Sequence, residues 1–263
     1  MPFPEAERVI YKINPLDRVI CQLRFPPILR IDSEVPALFQ EAIRGEFPLY
    51  NEKVEIQQEL AVGIKSQFSP EVIKQLSKQS TNKNHEFSSE DNIWKINLNR
   101  NFLSISTSQY HKWEEFIEKF KTSLKALSDI YSPPFFTRVG LRYVDIFDRS
   151  KLGIPGASWS ELLKPHFLGL LSSEIGNDIR HCENVFEVSL AENRGIARIA
   201  TSFVLNLKLK EQCYMIDSDF YSTQKTPFLD LDDQLNFLHA RATRLIRWII
   251  TDKLHKAMEP EII

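Results

Sequence analysis

Apolar and polar positions alternate from residue 135 to 148 (F-F-T-R-V-G-L-R-Y-V-D-I-F-D). Phe135, Val139, Leu141, Tyr143 and Phe147 fall on one phase, and Arg138, Gly140 and Arg142 on the other. A period of two with β-branched and aromatic residues predicts a strand half-buried in a sheet, because successive side chains leave on opposite faces. Residues 17–25 alternate in the same way. Val19, Cys21, Leu23 and Phe25 lie opposite Ile20, Gln22 and Arg24, and Pro26-Pro27 ends the run. The triplet Leu23-Arg24-Phe25 is echoed by Leu141-Arg142-Tyr143.

Around these two strands the pattern predicts further elements. Residues 1–16 carry Pro2, Pro4 and Pro15 and read as an arm rather than a packed element. Asp32 or Ser33 caps a helix bearing Leu38, Phe39, Ala42 and Ile43, and residues 54–64 form a strand. Residues 69–84 are polar and read as an insertion with a short helix at 71–76. Trp94, Ile96 and Leu98 alternate into a turn at Asn99-Arg100-Asn101, and Leu103 and Ile105 alternate back. Trp113, Phe116, Ile117, Phe120, Leu124 and Leu127 make one helical stripe, stopped by Ser132-Pro133-Pro134. Beyond the central strand, Ser158 or Ser160 caps a helix carrying Leu162, Leu163, Phe167, Leu170 and Leu171. A strand at 184–190 turns at Glu192-Asn193-Arg194-Gly195, with the glycine placed for a positive φ. Strands at 196–209 and 213–220 and a final helix over 231–258 complete the chain.

Both halves thus read strand, helix, about three strands, long helix. The predicted fold class is α+β: an internally duplicated β-α-β-β-β-α unit, joined into one antiparallel sheet with helices packed on one face. The arm at 1–16 precedes a first repeat at 17–132 and a second at 133–263, in one compact domain. The polar residues Asn97, Asn99, Ser104 and Ser106 predict that the other face stays wet.

Composition narrows the picture modestly. The 263 residues suffice for one sizeable core, and 43% hydrophobic with 26% charged is ordinary for a soluble globular protein. Thirty-three basic residues against 35 acidic ones argue against a general nucleic-acid binder. Cys21, Cys182 and Cys213 form no CxxC pair, and the N-terminus reads as lacking a signal peptide. With no apolar run of spanning length, the expectation is a cytoplasmic protein without membrane contact.

Candidate chemistry is sparse. Arg24 and Arg142 occupy matching places on the polar phase of their strands, so with Arg138 they are expected to cluster on the open face. Such a cluster suits phosphate or carboxylate recognition. The plainer alternative pairs each with an acid such as Glu59, Asp145 or Asp217. Asp217 and Asp219, at i and i+2, are weak candidates for a magnesium site, with no third ligand at a recognisable spacing. His239 reads as a hydrogen-bonded packing residue rather than a base. Arg241, Arg244, Arg247, Lys253 and Lys256 give the last helix a basic side, read as solvated. There is no GxSxG, P-loop, GxGxxG or HExxH, and no cofactor is expected.

The duplicated order is similar to the TATA-binding-protein-like architecture, in which the first strands of two repeats meet at a pseudo-dyad in a curved sheet. More closely, Arg138-Val139-Gly140-Leu141-Arg142-Tyr143-Val144-Asp145, the segment 94–107 with Phe102-Leu103, Leu238-His239 and Ile250-Thr251 resemble a sporadically distributed family of uncharacterised bacterial and archaeal proteins. Family members usually carry Asn or a similar polar residue where Asp145 stands. Their patchy distribution looks like that of genes carried with defence or toxin–antitoxin modules. The resulting expectation is a non-catalytic binding or adaptor protein that holds a protein partner through its open sheet face or a helix edge. Arg24, Arg138, Arg142, Tyr143 and Asp145 are its binding candidates. Nucleic-acid or nucleotide binding on the arginine face is the alternative, and a metal-dependent nuclease or hydrolase the weaker one.

Overall fold

The computed structural model describes residues 2–56 and 81–262. In chain order the strands are β1 (Val9–Tyr11), β2 (Leu16–Arg24), β3 (Leu49–Ile56), β4 (Thr81–Ser88), β5 (Trp94–Asn99), β6 (Phe102–Thr107), β7 (Arg138–Phe147), β8 (Glu183–Ser189), β9 (Ile196–Asn206), β10 (Glu211–Ser222) and β11 (Pro260–Ile262). The helical segments are α1 (Arg30–Ser33), α2 (Ala37–Ile43), α3 (Trp113–Tyr131), α4 (Trp159–Leu162), α5 (Pro165–Leu168), α6 (Leu231–Ile249) and α7 (Asp252–Ala257). Among the described residues nine strands make one antiparallel sheet in the order β3-β4-β5-β6-β2-β7-β10-β9-β8, and β1 pairs separately with β11.

At the centre of the sheet β2 and β7 run antiparallel, with Cys21 opposite Leu141, Gln22 opposite Gly140 and Arg24 opposite Arg138. The alternation of the sequence now acquires sides. Val19, Cys21 and Leu23 of β2 are buried with Val139, Leu141, Tyr143 and Phe147 of β7 and with Ile216 and Phe220 of β10. The helices lie on this side: the ring of Phe39 on α2 meets Phe87, Phe116 on α3 meets Trp94, and His239 on α6 meets Tyr143. The opposite face carries Arg24, Gln22, Arg142 and their neighbours and remains polar.

Local chemistry explains two of the helix ends. Helix α3 stops at Ser132, which adopts a left-handed conformation (φ 44°) and donates its N–H to the carbonyls of Leu127 and Ser128. Ser158 and Glu161 form a reciprocal capping box on α4.

Several expectations need correction. Residues 2–16 are not a detached arm. Phe3 is buried against Phe220 and Trp248, β1 pairs with β11, and Arg8 is ion-paired with Glu114. The polar stretch predicted as an insertion ends in a strand, β4, whose side chains facing the helices are His85 and Phe87. Its polarity misleads because the alternate residues Asn84 and Glu86 face the open side. The strand expected at 54–64 begins earlier, at Leu49; its end and the helix expected at 71–76 lie outside the described residues. The helix after Ser158 is three short turns, since Pro165 starts a new one and Gly169 (φ 57°) leaves it. The first helix is likewise split, with Pro36 preceding α2 and no side-chain cap. The final helix breaks at Ile250, which bridges to Leu163, and Thr251 caps α7 by accepting from the N–H of Leu254.

The turn before β9 carries its positive φ at Asn193 (55°), not at Gly195. Gly195 is needed for a different reason: a Cβ there would stand 2.6 Å from the carbonyl oxygen of Tyr221. Gly195→Ala is therefore expected to lower stability by about 1–3 kcal/mol, since backbone rather than a movable side chain must give way. Asn193→Gly should leave it within about 0.5 kcal/mol. Urea denaturation midpoints of the two variants check the contrast.

Candidate ligand-binding site

The arginines of the open face do not form a free cluster. Arg138 lies over Gly140, where a Cβ would collide with its guanidinium, and passes above the ring of Tyr221 (4.7 Å). There its Nη2 donates to both carboxylate oxygens of Asp219, at 2.9 and 2.8 Å. Arg142 donates from Nε and Nη2 to Asp217, at 2.7 and 2.5 Å. This bond holds the Arg142 guanidinium still more firmly protonated than usual. Arg24 is exposed and donates to Gln22. It faces Arg138 across the central pair, whereas Arg142 faces Ile20. Arg24 and Arg142 are thus separated by four positions along the strands, roughly 13 Å. The expected meeting of these two equivalent cations does not occur, because antiparallel pairing carries them in opposite directions from Gln22 and Gly140. Asp217 and Asp219 are each engaged by a guanidinium, so a metal ion would have to displace both arginines. Glu59 lies outside the described residues.

Tyr143 and Asp145 sit on the other side of the sheet. Asp145 occupies the apolar phase of β7, between Tyr143 and Phe147, and is 2% exposed. Its Oδ2 is buried without a hydrogen-bond partner among the described residues. Burial pushes its carboxyl up to about 7.

Asp145 lines a pocket of about 440 Å³. The residues 6–16 close one side, the start of α3 and the preceding Tyr110 another, and α6 a third; Tyr143, Asp145 and Ser218 come from the sheet. Exposed Glu7, Arg8, Glu114 and Thr243 lie at its rim.

The ring groups around the pocket are tied to each other. The Tyr143 hydroxyl and His239 Nδ1 are hydrogen-bonded at 3.0 Å, and His239 stacks on Trp113 with centroids 4.4 Å apart and planes within 7°. The Trp113 indole N–H donates to Asn236 Oδ1 at 2.8 Å, and the Ser218 hydroxyl donates to the Tyr143 carbonyl at 3.4 Å. Burial lowers His239 to about 4, so it is neutral at physiological pH, and burial raises the Tyr143 hydroxyl well above its ordinary value. At the end of α6, Arg247 donates to Nδ1 of His255 on α7 (2.6 Å), which is also hydrogen-bonded to the Tyr11 hydroxyl (2.9 Å). Arg241 lies over Phe237 (4.0 Å) and Arg244 pairs with Glu5. The expected basic side of the last helix is therefore partly roofed by the N-terminal segment rather than wholly solvated.

The binding candidates read from the sequence accordingly divide. Arg24, Arg138 and Arg142 belong to the open face, and Tyr143 and Asp145 to the pocket. Tyr110, Trp113 and Asn236 were not legible as site residues, since they join it only through the packing of α3 against α6. Asp145 did carry a signal: an acid on the apolar phase of a strand is a buried charge in need of an explanation.

In comparisons with known proteins, the chain matches no family model and no curated sequence.

The raised carboxyl of Asp145 has a consequence for stability. Between the unfolded value of 3.8 and about 7 the folded chain binds the proton that the unfolded chain releases. Stability attributable to this group is therefore highest below pH 4 and falls as pH rises to 7. Asp145→Asn removes the ionisation. It is expected to match the parent chain near pH 4 and to exceed it at pH 8 by on the order of 4 kcal/mol. Denaturant unfolding at the two pH values measures this.

Proposed function

We propose that this chain is a non-catalytic binding protein whose site is the pocket between residues 6–16, α3 and α6. The observation that carries the reading is the Asp145 carboxylate, buried at the pocket floor with Oδ2 unpartnered. A folded chain keeps such a group at a cost of roughly 1–3 kcal/mol, and a ligand that satisfies it recovers that cost. The volume suits a small molecule of drug-like size. The fixed rings favour binding over reaction: His239 and Tyr143 bond to one another, and neither is aimed at a nucleophile.

Nucleic-acid recognition on the arginine face has weaker support, because Arg138 and Arg142 already spend their donors on Asp219 and Asp217. We also read the two halves as copies of one ancestral unit. The offset that maps Leu23 onto Leu141 also maps Gln22 onto Gly140, and these two residues face each other at the centre of the sheet. The strands then leave that centre in the orders β6-β5-β4-β3 and β10-β9-β8.

Saturation-transfer NMR with a mixed library of neutral, anionic and cationic fragments tests the binding reading. Some fragments are expected to bind the full chain. Thr243→Trp, a substitution on the exposed side of α6 at the pocket rim, should weaken them at least tenfold. Fragments that bind Thr243→Trp as well as the parent chain, or a library without hits, would overturn it.

A further inference from the structure

We infer that the ligand of this pocket is a small organic cation, whose amine, amidine or guanidine group meets the Asp145 carboxylate while its apolar body lies against Tyr110, Trp113 and Ile246. The inference rests on the pocket being a binding site. It adds the chemical class of the occupant.

Among the described residues, the polar groups of the floor and inner wall leave one acceptor, Asp145 Oδ2, without a donor, and one donor of the wall, Arg247 Nε, without an acceptor. Tyr143 is bonded to His239, Ser218 to the Tyr143 carbonyl and Trp113 to Asn236. Of the guanidiniums lining the pocket, Arg247 donates from Nη1 to His255 and the Tyr11 hydroxyl, Arg8 pairs with Glu114 and Arg244 with Glu5. Asp145 Oδ2 is left without a donor. Among the described residues no cation contributes to the shift of its carboxyl, which comes from burial. A buried carboxylate needs both a counter-charge and donors. A neutral ligand would supply donors only, and an anion would add a second negative charge to a site that already repels one. An ammonium or amidinium supplies both requirements, and a planar amidinium can bond a carboxylate through two parallel N–H groups. The wall chemistry selects the rest of the molecule. Tyr11, Tyr110, Trp113, Leu16, Ala242 and Ile246 offer aromatic and aliphatic surface, so the cation carries a hydrophobic body rather than a polyamine chain.

The test uses matched probes on the full chain at pH 8: benzamidine and phenethylamine as cations, benzamide and 2-phenylethanol as neutral isosteres, and phenylacetate as an anion. Affinities are read by saturation-transfer NMR titration in the parent chain, in Asp145→Asn and in Thr243→Trp. The cations should bind at least tenfold more tightly than their neutral isosteres, and phenylacetate should not bind. Asp145→Asn, with a cooperative melt as evidence of folding, should lose that preference, and Thr243→Trp should lose binding of every probe. The ¹³C resonance of the Asp145 carboxyl in the parent chain should move with benzamidine, which gives a readout independent of any variant. Neutral isosteres that equal the cations, or a preference that survives Asp145→Asn, would overturn the ligand class and leave the pocket standing. Probes that all bind regardless of Thr243→Trp would remove the pocket reading as well.

Discussion

The pairing of β2 with β7 is the constraint on which the rest of the molecule depends. It is where the strands of the N-terminal half join those of the C-terminal half in the nine-stranded sheet, and its register sets the side of every residue on either strand. A slip of one position would exchange the two phases. It would bring Arg142 under the helices and turn Leu141 to the open face. The apolar phases of both strands, Val19-Cys21-Leu23 and Val139-Leu141-Tyr143, resist that exchange together, because both are buried in one core.

The same register is responsible for a costly residue of the core. Asp145 shares its phase with Leu141, Tyr143 and Phe147, so any pairing that buries those side chains also buries its carboxylate. The open face shows how the fold treats charge when it has the room. Asp217 and Asp219 sit beside long guanidinium side chains, and both are satisfied in two-pronged contacts. Across the sheet, the aromatic and imidazole rings near Asp145 satisfy one another instead. An ion pair on one side and an unpartnered acid on the other arise from the same alternation.

How much of this was legible in the chain depended on the range of the deciding interaction. The strand at Arg138–Phe147, the hairpin around Arg100 and helix α3 could be read directly, since each has an apolar period that its own neighbours enforce. Strand β4 could not, because its hydrogen bonds go to β3 and β5 and its side chains are mostly polar. The break at Ile250 was hidden for a similar reason: Leu163 and Lys164, far away in sequence, bond the backbone where the helix yields. Gly195 looked like a turn residue, whereas the need for it lies in the distant carbonyl of Tyr221.

Taken alone, the amino-acid order determined the alternating strands, the long amphipathic helices and the presence of an acid on a buried phase. These are consequences of side-chain chemistry at fixed spacing along a regular backbone. Only the tertiary structure decided which arginine met which aspartate, that the N-terminal segment roofs a cavity, and that Tyr110, Trp113, Asn236 and His239 surround Asp145. Those outcomes depend on how elements distant along the chain dock, and no local period encodes a docking distance.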